Sequence, residues 1–559
     1  MLLNYFLCDL QAIDFLCLAL FRSSFEALIF LIPNLHLSVM KKYSLPHTQW
    51  PGKKKVLVVN VYFPEVRRPI QLTNEIPNTL APVFIAGAFS SETCHVHIYN
   101  EVNSGFMEVF NPQLLEWPDV VVFTGLTFSF DRMMQLSAYF KFHNEKVITI
   151  AGGQGVRTFQ HYASQLFDYV CLGDIEELPK LIRAAIGIQY ASGRMRPRYD
   201  LAYWMGRRIA YVESSRNCNF KCAFCSLTGE GVTFQKKSLE FLKEQIVRLK
   251  KVKVLYFLDN QFYGNDKQVF REKLEMLRDL RKEGYFQYWA AILTNDFFWD
   301  DELLALAKES GCFALFVGVE SFDSDWLAHV NKKQNNRKKQ IDLIQKSLDA
   351  GILFQFGLVY DPSERSVASM KHEIAYINSH SVIPTPLFFF TAIPFPGTPF
   401  FAEKYEEGLI LPNTKARDLE SSTLSLLPRD NSIEETAEFI RQTKYFRGYR
   451  RKMLDHELKF LLKNYRSLNL DQQVVSLFST FRLFSPATFS NLGNLWQKKV
   501  PRTHISTTEM LDSVYTPIKR LPSKYESFFK PTYLTNEAGE LNELIYDDLT
   551  AQRYKKTSA

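Results

Sequence analysis

From residue 53 to residue 190 the chain alternates wholly apolar runs with stretches of helical spacing. The apolar runs read "KVLVVN" (55–60), "CHVHIYN" (94–100), "DVVVFTG" (119–125), "KVITIAGG" (146–153) and "DYVCLGD" (168–174). "NTLAPVFIAGAFSSE" has helical spacing between the first two, and "SFDRMMQLSAYFKFHNE" between the third and fourth. Strands that are apolar on both faces and separated by helices predict a parallel sheet covered on both sides. The expected unit is a five-stranded, doubly wound α/β domain.

Such a domain is flavodoxin-like in type, and its ligands sit beyond the carboxyl ends of the strands. Those ends carry Thr124 and Gly125, then Gly152, Gly153 and Gly155, then Gly173. Any one glycine can simply end a strand. Three strands ending so on one edge predict a backbone open to a large flat ligand.

A second series of strand–helix units begins at "RRIAYVESSRNCNFKCAFC", where a strand at 209–215 runs into a cysteine-rich loop. It continues through "KVLYFLDNQF" (253–262), "QYWAAILTN" (287–295), "CFALFVGVES" (312–321), "ILFQFGLVYD" (352–361) and "LFFFTAIPF" (387–395). Amphipathic stretches such as "DDELLALAKESG" and "RKKQIDLIQKSLDAG" accompany them. Six units in series predict a barrel or partial (β/α)6 barrel with its active residues at the carboxyl ends of the strands. The cysteines fall just past the first of these ends.

The chain has 559 residues, too many for one core. The expected division is an N-terminal extension at 1–39, the doubly wound domain at 40–190, the barrel at 191–410 and a mainly helical region at 411–559. The first of these, "FLCLALFRSSFEALIFLIP" included, is interrupted by Arg22 and Glu26, so it reads neither as a signal peptide nor as a transmembrane span. Met40 reads as a natural start, with 1–39 upstream of it. The helical region from 411 is expected to pack against the barrel.

Hydrophobic residues at 46% and charged residues at 23% describe a folded soluble protein, and 47 phenylalanines leave ample material for apolar pockets. The net charge of +7 is scattered, so nucleic acid is not expected as a partner. Cys8, Cys17, Cys94, Cys171 and Cys312 are dispersed, a pattern that fits a reducing cytoplasm better than a disulfide framework.

Cys218, Cys222 and Cys225 are different, three of the chain's eight cysteines within eight positions. Structural zinc wants four ligands, usually as two separated pairs, and no second pair follows. Cys312 stands alone in an apolar run and reads as a core residue. A disulfide fails on compartment and on the odd count. Iron–sulfur clusters are held by cysteine thiolates. Three of them leave one iron of a 4Fe–4S cubane without a protein ligand, free to bind a substrate.

The CxxxCxxC loop after the first strand of a partial barrel resembles the radical S-adenosylmethionine superfamily. The resemblance covers about 200–400 and implies a 4Fe–4S cluster on Cys218, Cys222 and Cys225, with S-adenosylmethionine chelated by the open iron. It places Phe224 near adenine and Glu320 and Ser321 of "VGVES" at the cofactor. Asp259 of "DNQF" stands where many members carry an acidic motif facing the methionyl group, and "PFPGTPF" (394–400) resembles the sixth-strand ending. "LVYDPSERS" departs from the glycine-rich fifth-strand pattern.

A flavodoxin-like domain directly before such a barrel resembles the cobalamin-binding branch, as do "FTGLTFSF", "AGGQGVRTF" and "LGDIEEL". The DxHxxG motif that supplies histidine to cobalt is absent from "NVYFPEVRRPIQLTNEIP". The resemblance then rests cobalamin on Thr124, Gly125, Gly152, Gly153 and Gly173 and on the hydroxyls of Thr127 and Ser129.

It implies a methyltransferase acting on an unactivated carbon or phosphorus centre. A cobalamin-assisted cyclase or rearrangement enzyme is the alternative, with the same domains and no net methyl transfer. An RNA methylthiotransferase needs three further cysteines in the first domain, where only Cys94 and Cys171 occur. The expected partners are a small-molecule or peptide substrate and a reductant such as flavodoxin or ferredoxin. No catalytic acid or base is assigned.

Overall fold

The computed structural model describes residues 52–62, 79–205 and 209–484, apart from 265, 337–338, 412–413, 415, 421–422 and 445–447, together with two short strands at 532–535 and 541–544. The reading of 1–39 and of Met40 lies outside these residues, as does most of the loop after the first strand.

The first sheet is built from β1 (Lys54–Asn60), β2 (Cys94–Asn100), β3 (Val120–Thr124), β4 (Ile148–Gly152) and β5 (Tyr169–Cys171). Its order is β2-β1-β3-β4-β5 and every pairing is parallel, the doubly wound arrangement expected from the alternating pattern. Alternate side chains of β1 enter opposite cores, as the period of two in a strand requires. Leu57 and Val59 pack with Phe123 and the helix Phe130–His143. Val56 and Val58 pack with Ile98, Ile150 and the helices Ala81–Gly87 and Leu178–Ile186.

The second sheet contains β6 (Ile209–Val212), β9 (Val252–Phe257), β10 (Phe286–Leu293), β11 (Cys312–Glu320), β12 (Leu353–Tyr360) and β13 (Phe389–Thr391). The two-residue strands β7 (Ser215–Arg216) and β8 (Gln235–Lys236) form a separate antiparallel pair beside it. The six strands run parallel in the order β13-β12-β11-β10-β9-β6, so the barrel is open between β13 and β6. Helices cover the outer face, and four of them start where sequence chemistry predicts. The side chains of Ser238, Asp266, Asp300 and Ser366 each accept a hydrogen bond from the backbone of the first turn.

Each core recruits residues from beyond its own stretch of chain. Ala202 and Trp204 join one face of the first sheet, and Ala416 and Leu419 join the other. Helices Ile433–Lys444 and Gly448–Asn464 supply Phe439, Ile440 and Phe460 to the barrel core, Leu468 joins it from the turn that follows, and Val475 of Leu470–Phe484 packs against it. Gln472 Nε2 donates to the carbonyls of Phe313 and Gly351 at 2.7 and 2.9 Å. Those carbonyls lie at the amino ends of β11 and β12, so this helix closes the end opposite the cysteines. The segments 532–535 and 541–544 pair as a short antiparallel ribbon, which periodicity did not predict. Among the described residues, no helix is long and apolar enough to cross a membrane.

Candidate functional site

The cysteine loop leaves the carboxyl end of β6 and is fixed by its own backbone. Asn217, just before Cys218, takes a left-handed conformation at φ 60°, and its side-chain amide donates to the carbonyl of Thr233 at 3.0 Å. The amide of Phe220 approaches Cys218 Sγ at 3.5 Å, and Thr228 Oγ1 donates to the carbonyl of Cys222 at 2.9 Å. Cys225 stands at the N-cap position of the short helix Ser226–Glu230, its thiol making no cap hydrogen bond. The loop is also clasped from outside. Ala223 donates its amide to Val330 O at 2.9 Å and accepts from Phe400 N at 3.2 Å, while Asn331 Nδ2 donates to Lys221 O at 2.8 Å.

Burial pushes the Cys225 thiol up to about 12 and raises that of Cys218. Thiols so placed ionise when a metal supplies the positive charge. Among the described residues, the one group of histidine, cysteine or carboxylate ligand atoms close enough to share a single ion is His329, Glu364 and Glu403, around which Lys404 already pairs. Cys218, Cys222 and Cys225 are all free thiols, as cluster ligation requires. Cys312 is buried in β11, within the barrel core.

Glu320 ends β11 at φ 62°, after a register irregularity between Val317 and Glu320. A left-handed glutamate costs energy and is found where the surroundings fix it. What fixes it is Lys332, whose ammonium pairs with Glu320 Oε1 and lies 5.9 Å from the Phe224 ring. Its side chain is only 6% exposed. Burial opposes the charge on Lys332, but the Glu320 carboxylate and the nearby cysteines hold its pKa above the ordinary lysine value. Asn335 Nδ2 secures the strand end through the carbonyls of Gly318 and Val319 at 2.9 and 2.8 Å, and Gln334 Nε2 reaches Cys222 Sγ at 3.9 Å.

Ser321 is buried, donates to Glu373 Oε1 at 2.7 Å and accepts from Arg365 Nη1 at 3.0 Å. The Phe224 ring stacks on Trp326 with centroids 5.9 Å apart. Asp259 points elsewhere. Its carboxylate accepts from the Ser214 amide at 2.8 Å, from the Ser214 hydroxyl and from Ser215 Oγ at 2.9 Å. Burial raises its pKa, against the pull of Lys273, which is hydrogen-bonded to the same Ser214. Asp259 thus braces the strand that feeds the cysteine loop. A sequence motif locates the residue but not the direction of its side chain.

At the carboxyl edge of the first sheet the glycines let loops touch one another. A Cβ on Gly155 would lie 2.8 Å from Leu126 O, and one on Gly153 (φ 94°) 2.9 Å from Thr124 Oγ1 and 3.2 Å from Gly125 O. A Cβ on Gly125 would meet Met133 Cε at 2.8 Å, one on Gly152 would meet Cys171 Cβ at 3.3 Å, and one on Gly173 the Glu177 side chain at 2.9 Å. These close approaches make the edge a cradle of βα loops. Thr127 is buried with its hydroxyl 3.2 Å from Thr158 Oγ1. Ser129 Oγ is buried without a hydrogen-bond partner among the described residues. Such an orphan is what a ligand's polar arm satisfies.

Sequence reasoning missed Lys332, hidden in the polar run "NKKQNN", and the buried pair of Glu101 and Arg132 beside β2. It also missed the charges that join the two sheets. Arg157 Nε donates to Glu230 Oε2 at 2.6 Å, and Glu176 pairs with both Arg216 and Lys237. Nothing in the local sequence signals these pairs, which tertiary packing alone brings together. They set the edge of the first sheet against the cysteine loop.

Residues 212–365 match the Radical SAM superfamily. An uncharacterized methyltransferase of Synechocystis sp. is 23% identical over 337 residues, covering 56% of this chain and 61% of that protein. Bacteriochlorophyllide d C-12(1)-methyltransferase of Chlorobaculum tepidum is 28% identical over 200 residues, covering 34% and 42%. The chain thus spans less than two thirds of the length of these curated relatives. Among solved structures, the cobalamin-dependent S-adenosylmethionine radical enzyme OxsB superposes with a TM-score of 0.52 at 13% identity, over 85% of this chain and 84% of that one. At that identity the likeness is one of fold. Residues 212–365 thus carry a match to the Radical SAM superfamily, on a half-barrel that follows a flavodoxin-like domain, and the fold is similar to that of the cobalamin-dependent radical enzyme OxsB.

Proposed function

We propose that the chain is a cobalamin-dependent radical S-adenosylmethionine methyltransferase, with 40–190 as the cobalamin domain, 191–410 as the barrel and 411–559 as its helical support. Cys218, Cys222 and Cys225 would hold the 4Fe–4S cluster. S-adenosylmethionine would lie between Phe224 and the strand end at Glu320 and Ser321. Cobalamin would occupy the cradle of Thr124, Gly125, Thr127, Ser129, Gly152, Gly153 and Gly173. When bound, these groups supply the electron that cleaves the sulfonium and the methyl carried on cobalt, for an unactivated carbon or phosphorus acceptor; the protein contributes binding, orientation and shielding.

The observation that carries the reading is positional. The three cysteines stand at the carboxyl edge of one sheet, tied by charge pairs to the carboxyl edge of the other. Phe224 and its partner Trp326 offer a flat apolar wall. Lys332 pairs with Glu320 and fixes its carboxylate at the strand end. The orphan Ser129 hydroxyl fits a cofactor rich in amide arms. The substrate is a small molecule or peptide, the electron donor a flavodoxin or ferredoxin, and the compartment the reducing cytoplasm.

The test is anaerobic incubation of reconstituted protein with reductant, methyl-labelled S-adenosylmethionine and candidate substrate extracts. Label in a product, together with 5′-deoxyadenosine, supports the reading. 5′-Deoxyadenosine with an unlabelled, rearranged product would replace methyl transfer with rearrangement.

A further inference from the structure

The segment "LGDIEEL" beyond β5 belongs to the first domain, yet its side chains reach the cysteine loop. Asn217 Nδ2, one residue before Cys218, donates to Asp174 Oδ2 at 3.2 Å as well as to Thr233 O. Arg216, two residues before Cys218, pairs with Glu176 Oε2 at 2.7 Å and with Glu213 Oε1 at 2.7 Å. Glu176 also binds Lys237, on the return side of the loop. Beyond the loop, Glu230 is held by Arg157, whose Nη1 also donates to Gly173 O at 3.4 Å.

Both flanks of the cysteine loop are therefore fastened to the same short stretch of the neighbouring domain. The near flank includes a residue in a strained backbone conformation. Asparagine tolerates this left-handed conformation better than most residues, and here one of the two acceptors that hold its side chain comes from the other domain. The Arg157–Glu230 pair is well shielded, with side chains 16% and 4% exposed, so solvent screens it little.

We propose that Asp174 and Glu176, with Arg157, are positioning residues that shape the cluster's seat from the cobalamin domain. The two cofactor sites then share one structural element, and an adjustment of the loops around one is felt at the other as a coupling free energy. This inference rests on the proposed function for its cofactor readouts.

The experiment uses the full chain, anaerobically reconstituted, in wild-type, Asp174→Ala/Glu176→Ala and Asp174→Asn forms. The double variant should keep its iron but bind S-adenosylmethionine at least about ten-fold more weakly, the size of one lost hydrogen bond to a charged group. The electron paramagnetic resonance lines of its reduced cluster should shift as well. Asp174→Asn retains an acceptor for Asn217 and should restore most of both. Wild-type affinity and lineshape in the double variant would overturn the proposal.

A second readout needs neither cofactor. Backbone hydrogen exchange at 213–233 in the cofactor-free chain should be faster in the double variant, and equal protection would count against the clamp. A wild-type chain that takes up no iron would defeat the functional reading, leaving exchange to decide this one.

Discussion

The carboxyl edge of the first sheet is packed backbone on backbone, with Gly125, Gly153 and Gly155 letting three loops touch, while the carboxyl edge of the second is held by side chains. There Lys332 grips Glu320, Asp259 braces Ser214 and Ser215, and Arg216, Asn217 and Glu230 are gripped from across the interface. The two edges should therefore fail differently. Filling space should damage the first, whereas removing a charge should damage the second.

The largest effect is expected at the cysteines. Changing Cys218, Cys222 or Cys225 to Ala should abolish the broad visible absorption and reduce the iron from about four per chain, the content of one cubane. Cys312→Ala should leave the cluster intact, because Cys312 lies in the barrel core. Iron and sulfide analysis checks both.

Next comes Lys332→Met, which strands the Glu320 carboxylate in a mostly buried setting. Breaking such a pair costs about 3–5 kcal/mol where burial is complete. Glu320 is 17% exposed, so the lower part of that range is expected from urea unfolding. The double variant Lys332→Met/Glu320→Gln should recover part of the loss. No recovery would show that the two residues act independently.

Gly155→Ala tests the other edge. Its Cβ would fall 2.8 Å from a backbone carbonyl that can yield only if the loop moves. A loss of about 1–3 kcal/mol is expected, as for other overpacked sites. Cobalamin retention should drop while iron content stays unchanged. Loss of iron with cobalamin retained would reverse the assignment of the two edges.

Ser129→Ala should have the smallest effect, and its sign should depend on cobalamin. Without the cofactor, removing a buried unpartnered hydroxyl should be neutral or slightly stabilising; with it, binding should weaken by about 1 kcal/mol. Equilibrium dialysis and thermal melts of both forms separate these outcomes.

Much of this was legible in the sequence. The runs at 55–60 and 94–100 fall on β1 and β2, and the run at 312–321 falls on β11, because strands buried on both faces must be apolar throughout. The cysteine loop was legible because its residue type and spacing carry the chemistry themselves. Side-chain direction was not. Asp259 looked ligand-facing and turned out to brace a strand, and the close approach of neighbouring loops at the edge glycines was not foreseen. Lys332, Arg157 and Glu176 were invisible because each gains its role from a partner distant in sequence. The N-terminal reading at 1–39 lies outside the described residues.

The central claim is that one chain seats a site-open iron–sulfur cluster opposite cobalamin. Its most direct test is electron paramagnetic resonance of the anaerobically reconstituted, cobalamin-loaded protein, reduced and titrated with S-adenosylmethionine. The account predicts a cubane signal that shifts on S-adenosylmethionine binding, and a cob(II)alamin signal without nitrogen splitting from a protein histidine. A cluster signal indifferent to S-adenosylmethionine, or the absence of cobalamin binding, would contradict it.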